Sequence, residues 1–104
     1  MPTRARSTPM IDSTASVGSR TKIRPWARVE EQVLIQDDVV VSEGVQIRKG
    51  AWVGDRAHIG KDAIIGEWVG IGNEVIVPAY QVVPPYAVMP CRAFMDALTK
   101  HVRW

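Results

Sequence analysis

The sequence predicts an all-β chain, a parallel β-helix coiled from six-residue strand-and-turn units, and three observations predict it. The first is a column of branched residues. Ile11, Val17, Ile23, Val29, Ile35, Val41, Ile47, Val53, Ile59, Ile65, Ile71, Val77, Val83 and Met89 are spaced by six without a break, and thirteen of the fourteen are Val or Ile. Val and Ile fill 24 of 104 positions, so such a run arises by chance in about one of 10⁸ starting frames. The second is a column two residues ahead of the first: Ala15, Thr21, Ala27, Val33, Val39, Val45, Ala51, Ala57, Ala63, Val69, Val75, Gln81, Ala87 and Ala93, all Ala or Val except Thr21 and Gln81. The third is turn chemistry. Gly18, Gly54, Gly60, Gly66 and Gly72 directly follow the branched column, Pro78, Pro84 and Pro90 take that place near the end, and Gly44 and Gly50 stand two places later.

Strand side chains alternate with period two, so residues two apart point to one side and the residue between them points away. Each unit therefore reads as a short strand with a small and a branched side chain inward. Gly accepts positive φ and Pro fixes φ, and both suit a sharp corner. One unit cannot bury its face alone, whereas stacked units can.

In chain order, residues 1–10 contain Arg4, Arg6, Pro2 and Pro9 but no repeat residue, and are expected to be a flexible tail. Residues 11–94 form the β-helix. Residues 95–104 leave the six-residue pattern. Phe94, Leu98 and Val102 recur every four residues, with Asp96 early and Lys100, His101 and Arg103 late. That is helical spacing with charges matched to the helix dipole, and it predicts a short C-terminal α-helix.

The pattern [LIV]-G-x-x-[AV]-x, as in V-G-D-R-A-H at Val53 to His58 and I-G-K-D-A-I at Ile59 to Ile64, resembles the hexapeptide-repeat superfamily of acyltransferases and gamma-class carbonic anhydrases. The resemblance runs from Ile11 to about Phe94, and V-P-P-Y-A-V-M-P-C-R-A-F at Val83 to Phe94 is similar to the stretch where such β-helices hand over to a helix. It implies a single-stranded left-handed parallel β-helix of triangular section with three hexapeptides per coil. Left-handed crossovers between parallel strands are a rare exception to the general rule.

A chain of 104 residues is one domain. Net charge is +2, from 13 basic and 11 acidic residues, and no basic patch with interleaved aromatics stands out, so no nucleic-acid partner is expected. No run of 18 apolar residues and no signal-peptide core occur, so no membrane partner is expected. The single cysteine, Cys91, cannot form an internal disulfide and suits a reducing compartment; the expected localisation is cytoplasmic.

With three units per coil, outward residues sort into three columns. One holds Ser16, Leu34, Trp52, Gly70 and Val88; the next Lys22, Val40, His58, Ile76 and Phe94; the third Arg28, Gln46, Ile64 and Val82. Single surface hydrophobes are ordinary, but Leu34, Trp52, Val40 and Ile76 are neighbours on adjacent faces, which marks an interface. The resemblance implies a homotrimer packed through such faces, with room for a small-molecule ligand between subunits. Trp68 and Tyr86 stack at one corner and Gly44, Asp62 and Tyr80 at another, and both sets read as solvent-facing corner packing rather than a binding platform.

Of the two histidines, His101 falls in the predicted helix and His58 points outward in the middle of an apolar face, where a subunit interface would shift its pKa. An imidazole there is either an interface hydrogen-bonding group or a catalytic base. The acyltransferases of lipid A synthesis carry A-H-I-A-H-D, whose second histidine is the general base; the similar stretch here is Ala57, His58, Ile59, Gly60, Lys61, Asp62. Lys61 stands at the catalytic position, and a solvated lysine is protonated at neutral pH and takes no proton from an acceptor. Gamma-class carbonic anhydrases hold zinc with three histidines from two subunits, so one histidine on the prism predicts no metal site. Cys91 has Arg92 beside it but no neighbouring base, and reads as structural. If coenzyme A or acetyl-coenzyme A binds as the resemblance implies, Lys61, Arg92, Lys100 and Arg103 are the candidate contacts. The expected function is thus a trimeric hexapeptide-repeat protein without the usual catalytic histidine, a small binding or scaffold protein. The alternative is a coenzyme A-dependent acyltransferase with an intersubunit site and His58 as base.

Overall fold

The computed structural model describes residues 8–89. The predicted C-terminal helix, Cys91 and the contacts expected from Arg92, Lys100 and Arg103 lie outside the described residues, as do residues 1–7 of the expected tail.

The described chain is a parallel β-solenoid of about four turns, and the left-handed β-helix that the resemblance implies is supported by it. It contains fourteen strands of two residues. The first face is built of β1 (Met10–Ile11), β4 (Arg28–Val29), β7 (Gln46–Ile47), β10 (Ile64–Ile65) and β13 (Val82–Val83). The second holds β2 (Ser16–Val17), β5 (Leu34–Ile35), β8 (Trp52–Val53), β11 (Gly70–Ile71) and β14 (Val88–Met89). The third holds β3 (Lys22–Ile23), β6 (Val40–Val41), β9 (His58–Ile59) and β12 (Ile76–Val77). Every pairing is parallel and joins residues eighteen apart: Trp52 pairs with Leu34 on one side and Gly70 on the other, and His58 with Val40 and Ile76. Each strand places one residue outward and one inward, so in β5, β8 and β9 an exposed Leu34, Trp52 or His58 is followed by a buried Ile35, Val53 or Ile59.

The core is the two inward columns. Val39, Val41, Val45, Ile47, Ala51, Val53, Ala57, Ile59, Ala63, Ile65 and Ile71 are all fully buried, and no polar side chain is buried among the described residues. Burying an isoleucine in this way contributes about 2–3 kcal/mol. The two exceptions in the small column sit in the first and last described coils. The half-buried Thr21 donates to the Gln36 carbonyl at 2.7 Å and accepts from the Val39 N–H at 3.2 Å, and Gln81 is exposed.

Strand N–H groups reach forward to the next coil: Leu34 to the Ala51 carbonyl at 3.0 Å, Trp52 to Val69 at 2.8 Å, Gly70 to Ala87 at 3.0 Å. The corners reverse this direction. Every sixth residue from Arg20 to Tyr86 has positive φ, and only Gly44 and Gly50 among them are glycine. The left-handed conformation costs an L-residue about 1–2 kcal/mol. It also turns the N–H back toward the preceding coil, where Asp38 meets the Ser19 carbonyl, Asp62 meets Glu43 and Trp68 meets Lys49, each at 2.9 Å. A bond of about 1 kcal/mol offsets most of that cost.

The glycines directly after the branched column are therefore not there for positive φ, contrary to the sequence expectation. They allow close approach. A Cβ on Gly60 would sit 2.5 Å from the Ala79 nitrogen, and one on Gly66 would sit 2.7 Å from the Pro85 nitrogen.

Candidate functional site

The six-residue period sends residue 58 outward on β9, between Val40 and Ile76 in register. His58 is exposed, with its backbone N–H bound to the Val75 carbonyl at 2.9 Å. Val40 beside it is half-buried and Ile76 is 55 % exposed. The described residues bring no carboxylate or hydroxyl into hydrogen bonding with the His58 ring, so nothing in them orients the imidazole as a base.

Lys61 follows three residues later on the corner after the third face and is exposed. Its carbonyl accepts from the Tyr80 N–H at 2.8 Å. Lys61 lines a shallow groove of about 380 Å³ with Arg24, Val40, Ser42 and Glu43. The fold thus places the lysine beside a second cation and a carboxylate, while His58 is not part of that lining. His58 and Lys61 thus stand on a face and on its neighbouring corner; Arg92, Lys100 and Arg103 lie outside the described residues.

The corner between the second and third faces carries an ordered array that the sequence reading did not single out. The Asp37 carboxylate accepts from the Ser19 N–H at 2.8 Å, Asp55 from the Asp37 N–H at 3.1 Å, and the Asn73 amide oxygen from the Asp55 N–H at 2.8 Å. Each side chain reaches back one coil to a backbone donor. Beside this ladder the charges alternate. Arg20 pairs with Asp38 at 2.8 Å and Arg56 with Glu74 at 3.0 Å. The Arg20 hydrogen bond holds the Asp38 carboxyl below its ordinary range, and Asp38 in turn raises the Arg20 guanidinium. Both ladders have eighteen-residue spacing, so writing the sequence in lines of eighteen exposes them. At the corner between the first and second faces, Arg48 Nε stands 3.4 Å from a Glu30 oxygen without hydrogen-bond geometry.

Two faces expose apolar side chains. On the second, Leu34 and Trp52 are each 39 % exposed and Val88 is 74 % exposed. On the third, Ile76 and His58 are exposed above Val40. The corner aromatics Trp68 and Tyr86 are exposed as well, but the Trp68 ring is packed over Gly50 of the preceding coil. That agrees with corner packing.

Among the described residues no group of three His, Cys, Asp or Glu is placed to hold a metal ion, and no helix is long and apolar enough to cross a membrane. The chain matches no protein-family model and no curated protein.

Proposed function

We propose that the chain is a small self-associating β-helix that serves as a binding or scaffold protein in the cytoplasm, joined to further copies through the faces carrying Trp52 and His58. The observation that carries this reading is the exposure of Leu34, Trp52 and Ile76 on adjacent faces of a rigid prism whose core is otherwise closed. Exposed apolar area on each of these faces is removed from water by association. The homotrimer is the assembly that the resemblance to hexapeptide-repeat proteins implies. Lys61 at the position of the usual base, in a groove with Arg24 and Glu43, supports a non-catalytic role.

A second reading keeps the acyltransferase chemistry. An exposed imidazole in the middle of an apolar face is the group that a neighbouring subunit would turn into a base, with acetyl-coenzyme A as donor and Lys61 among its contacts. Sedimentation equilibrium of the full chain, together with calorimetric titration of coenzyme A, separates the two. Association without coenzyme A binding supports the scaffold; a monomer at micromolar concentration defeats it.

A further inference from the structure

Gly70 is the one outward position of the second face with no side chain. Its φ is not positive, and a Cβ added there would meet nothing within 4 Å among the described residues. Neither backbone strain nor crowding among those residues calls for glycine, which is a weak strand residue. The Trp52 ring, one strand away in register, does not fill the space. The second face therefore reads, along the prism, as Leu34, a large Trp52, an empty notch at Gly70, and Val88.

We infer that this notch receives Trp52 of a second copy, so that two chains pair through the second face about a twofold axis that lies in the interface along the strand direction. The axis passes midway between β8 and β11. It seats each Trp52 over the partner chain's Gly70 notch and sets Leu34 against the other copy's Val88. Both relations are self-complementary in size, as an isologous contact requires. A twofold axis along the prism would instead oppose the two Trp52 rings and leave two notches facing each other. Threefold packing is heterologous and sets the second face of one copy against a different surface of the next, so Trp52 does not meet the partner chain's Gly70. Five strands about 4.8 Å apart and six residues of width give a face of about 400 Å². Two such faces bury about 800 Å², which is the size of a weak, reversible dimer. The inference rests on the self-association reading and replaces its threefold symmetry with a twofold one.

The test is sedimentation of the full chain from about 1 to about 500 μM, on wild type, Gly70→Val, Trp52→Ala, and the double variant Trp52→Ala with Gly70→Trp. Wild type is expected to form a concentration-dependent dimer. Gly70→Val should weaken it at least about tenfold while its urea midpoint stays equal or rises, because valine is the better strand residue. Trp52→Ala should weaken it similarly, and the double variant should dimerise again, because knob and notch have only exchanged places. A wild-type trimer, dimerisation of Gly70→Val at wild-type strength, or a folded double variant that stays monomeric overturns the twofold pairing. A trimer leaves the self-association reading standing, whereas a monomeric wild type overturns both.

Discussion

The indole of Trp68 lies over the bare Cα of Gly50, one coil earlier on the same corner. Gly50 has φ +71°, so this position combines a left-handed backbone with a covering aromatic ring. Gly50→Ala adds a methyl group where the ring sits and forces alanine into an unfavourable conformation. A loss of about 2–3 kcal/mol is expected. Urea denaturation followed by far-ultraviolet circular dichroism measures it, and a change within error would mean that the ring moves aside freely.

The side-chain ladder on the corner between the second and third faces should be worth less per rung, because it is exposed. Asp55 accepts from the Asp37 N–H and its own N–H is bound to Asn73. Asp55→Ala removes the first bond and should cost about 0.5–1 kcal/mol. Asp55→Asn keeps an amide oxygen in place and should be close to neutral. Equal losses in the two variants would show that charge, not the hydrogen bond, holds the corner.

The position of the columns explains how much of this molecule is legible in its sequence. Ile59 and Ala57 are recognisable as inward because apolar residues fill those two places of six in every unit but those of Thr21 and Gln81, and their repetition defines coil, sheet and core together. The left-handed corner position is not legible in the same way. Arg56, Trp68, Glu74 and Tyr86 share it with Gly44 and Gly50, and all six donate their N–H to a carbonyl of the preceding coil. The backbone bond to the preceding coil stabilises that conformation whatever the side chain, so composition leaves no mark. Glycine misleads for the related reason that close approach, as at Gly60, also selects it. Of the candidate site, the outward placement of His58 and Lys61 follows from the same period. Their separation into a face and a corner groove depends on how Arg24 and Glu43 of neighbouring coils fold toward Lys61, which is a relation across coils.

Stability should fall in acid with a definite sign. Hydrogen bonds from Arg20 to Asp38 and from Thr14 to Asp12 hold both carboxyls below their ordinary value of 3.8 in the folded chain. A depressed folded-state pKa gives stabilisation that is present above the unfolded value and is lost as pH falls through the folded one. The melting temperature is therefore expected to be level from about pH 7 to about pH 5 and to decline below about pH 4. Asp38→Asn should flatten that decline, and added salt should reduce the Asp38 contribution because the pair is exposed. A melting temperature that rises on acidification would contradict the assignment.

The core permits no charge. Ile59 is fully buried among inward residues from all three faces. Ile59→Asp would place a carboxylate there with no partner, at a cost of several kcal/mol. That is a large part of the stability of a domain this size, so loss of the β-sheet circular dichroism signal at room temperature is expected. A folded Ile59→Asp chain would mean that residue 59 is not inward.

The last prediction concerns chemistry. Acyl transfer to an amine or hydroxyl needs a group that accepts a proton at neutral pH and stands within hydrogen-bond reach of the acceptor. Lys61 is exposed in its groove beside Arg24 and Glu43. His58 is exposed and has no orienting carboxylate among the described residues. The expected outcome is no measurable acetyl transfer from acetyl-coenzyme A to simple amines or sugars, and no zinc-dependent hydration of carbon dioxide. The comparison to make is wild type beside His58→Ala, with coenzyme A binding titrated for both and the oligomeric state checked for each. Turnover in wild type that disappears in His58→Ala, with assembly intact, would replace the scaffold reading by the enzyme. Turnover that survives the substitution would defeat both readings, because His58 is the one histidine among the described residues, and would direct attention to the Arg24–Lys61 groove.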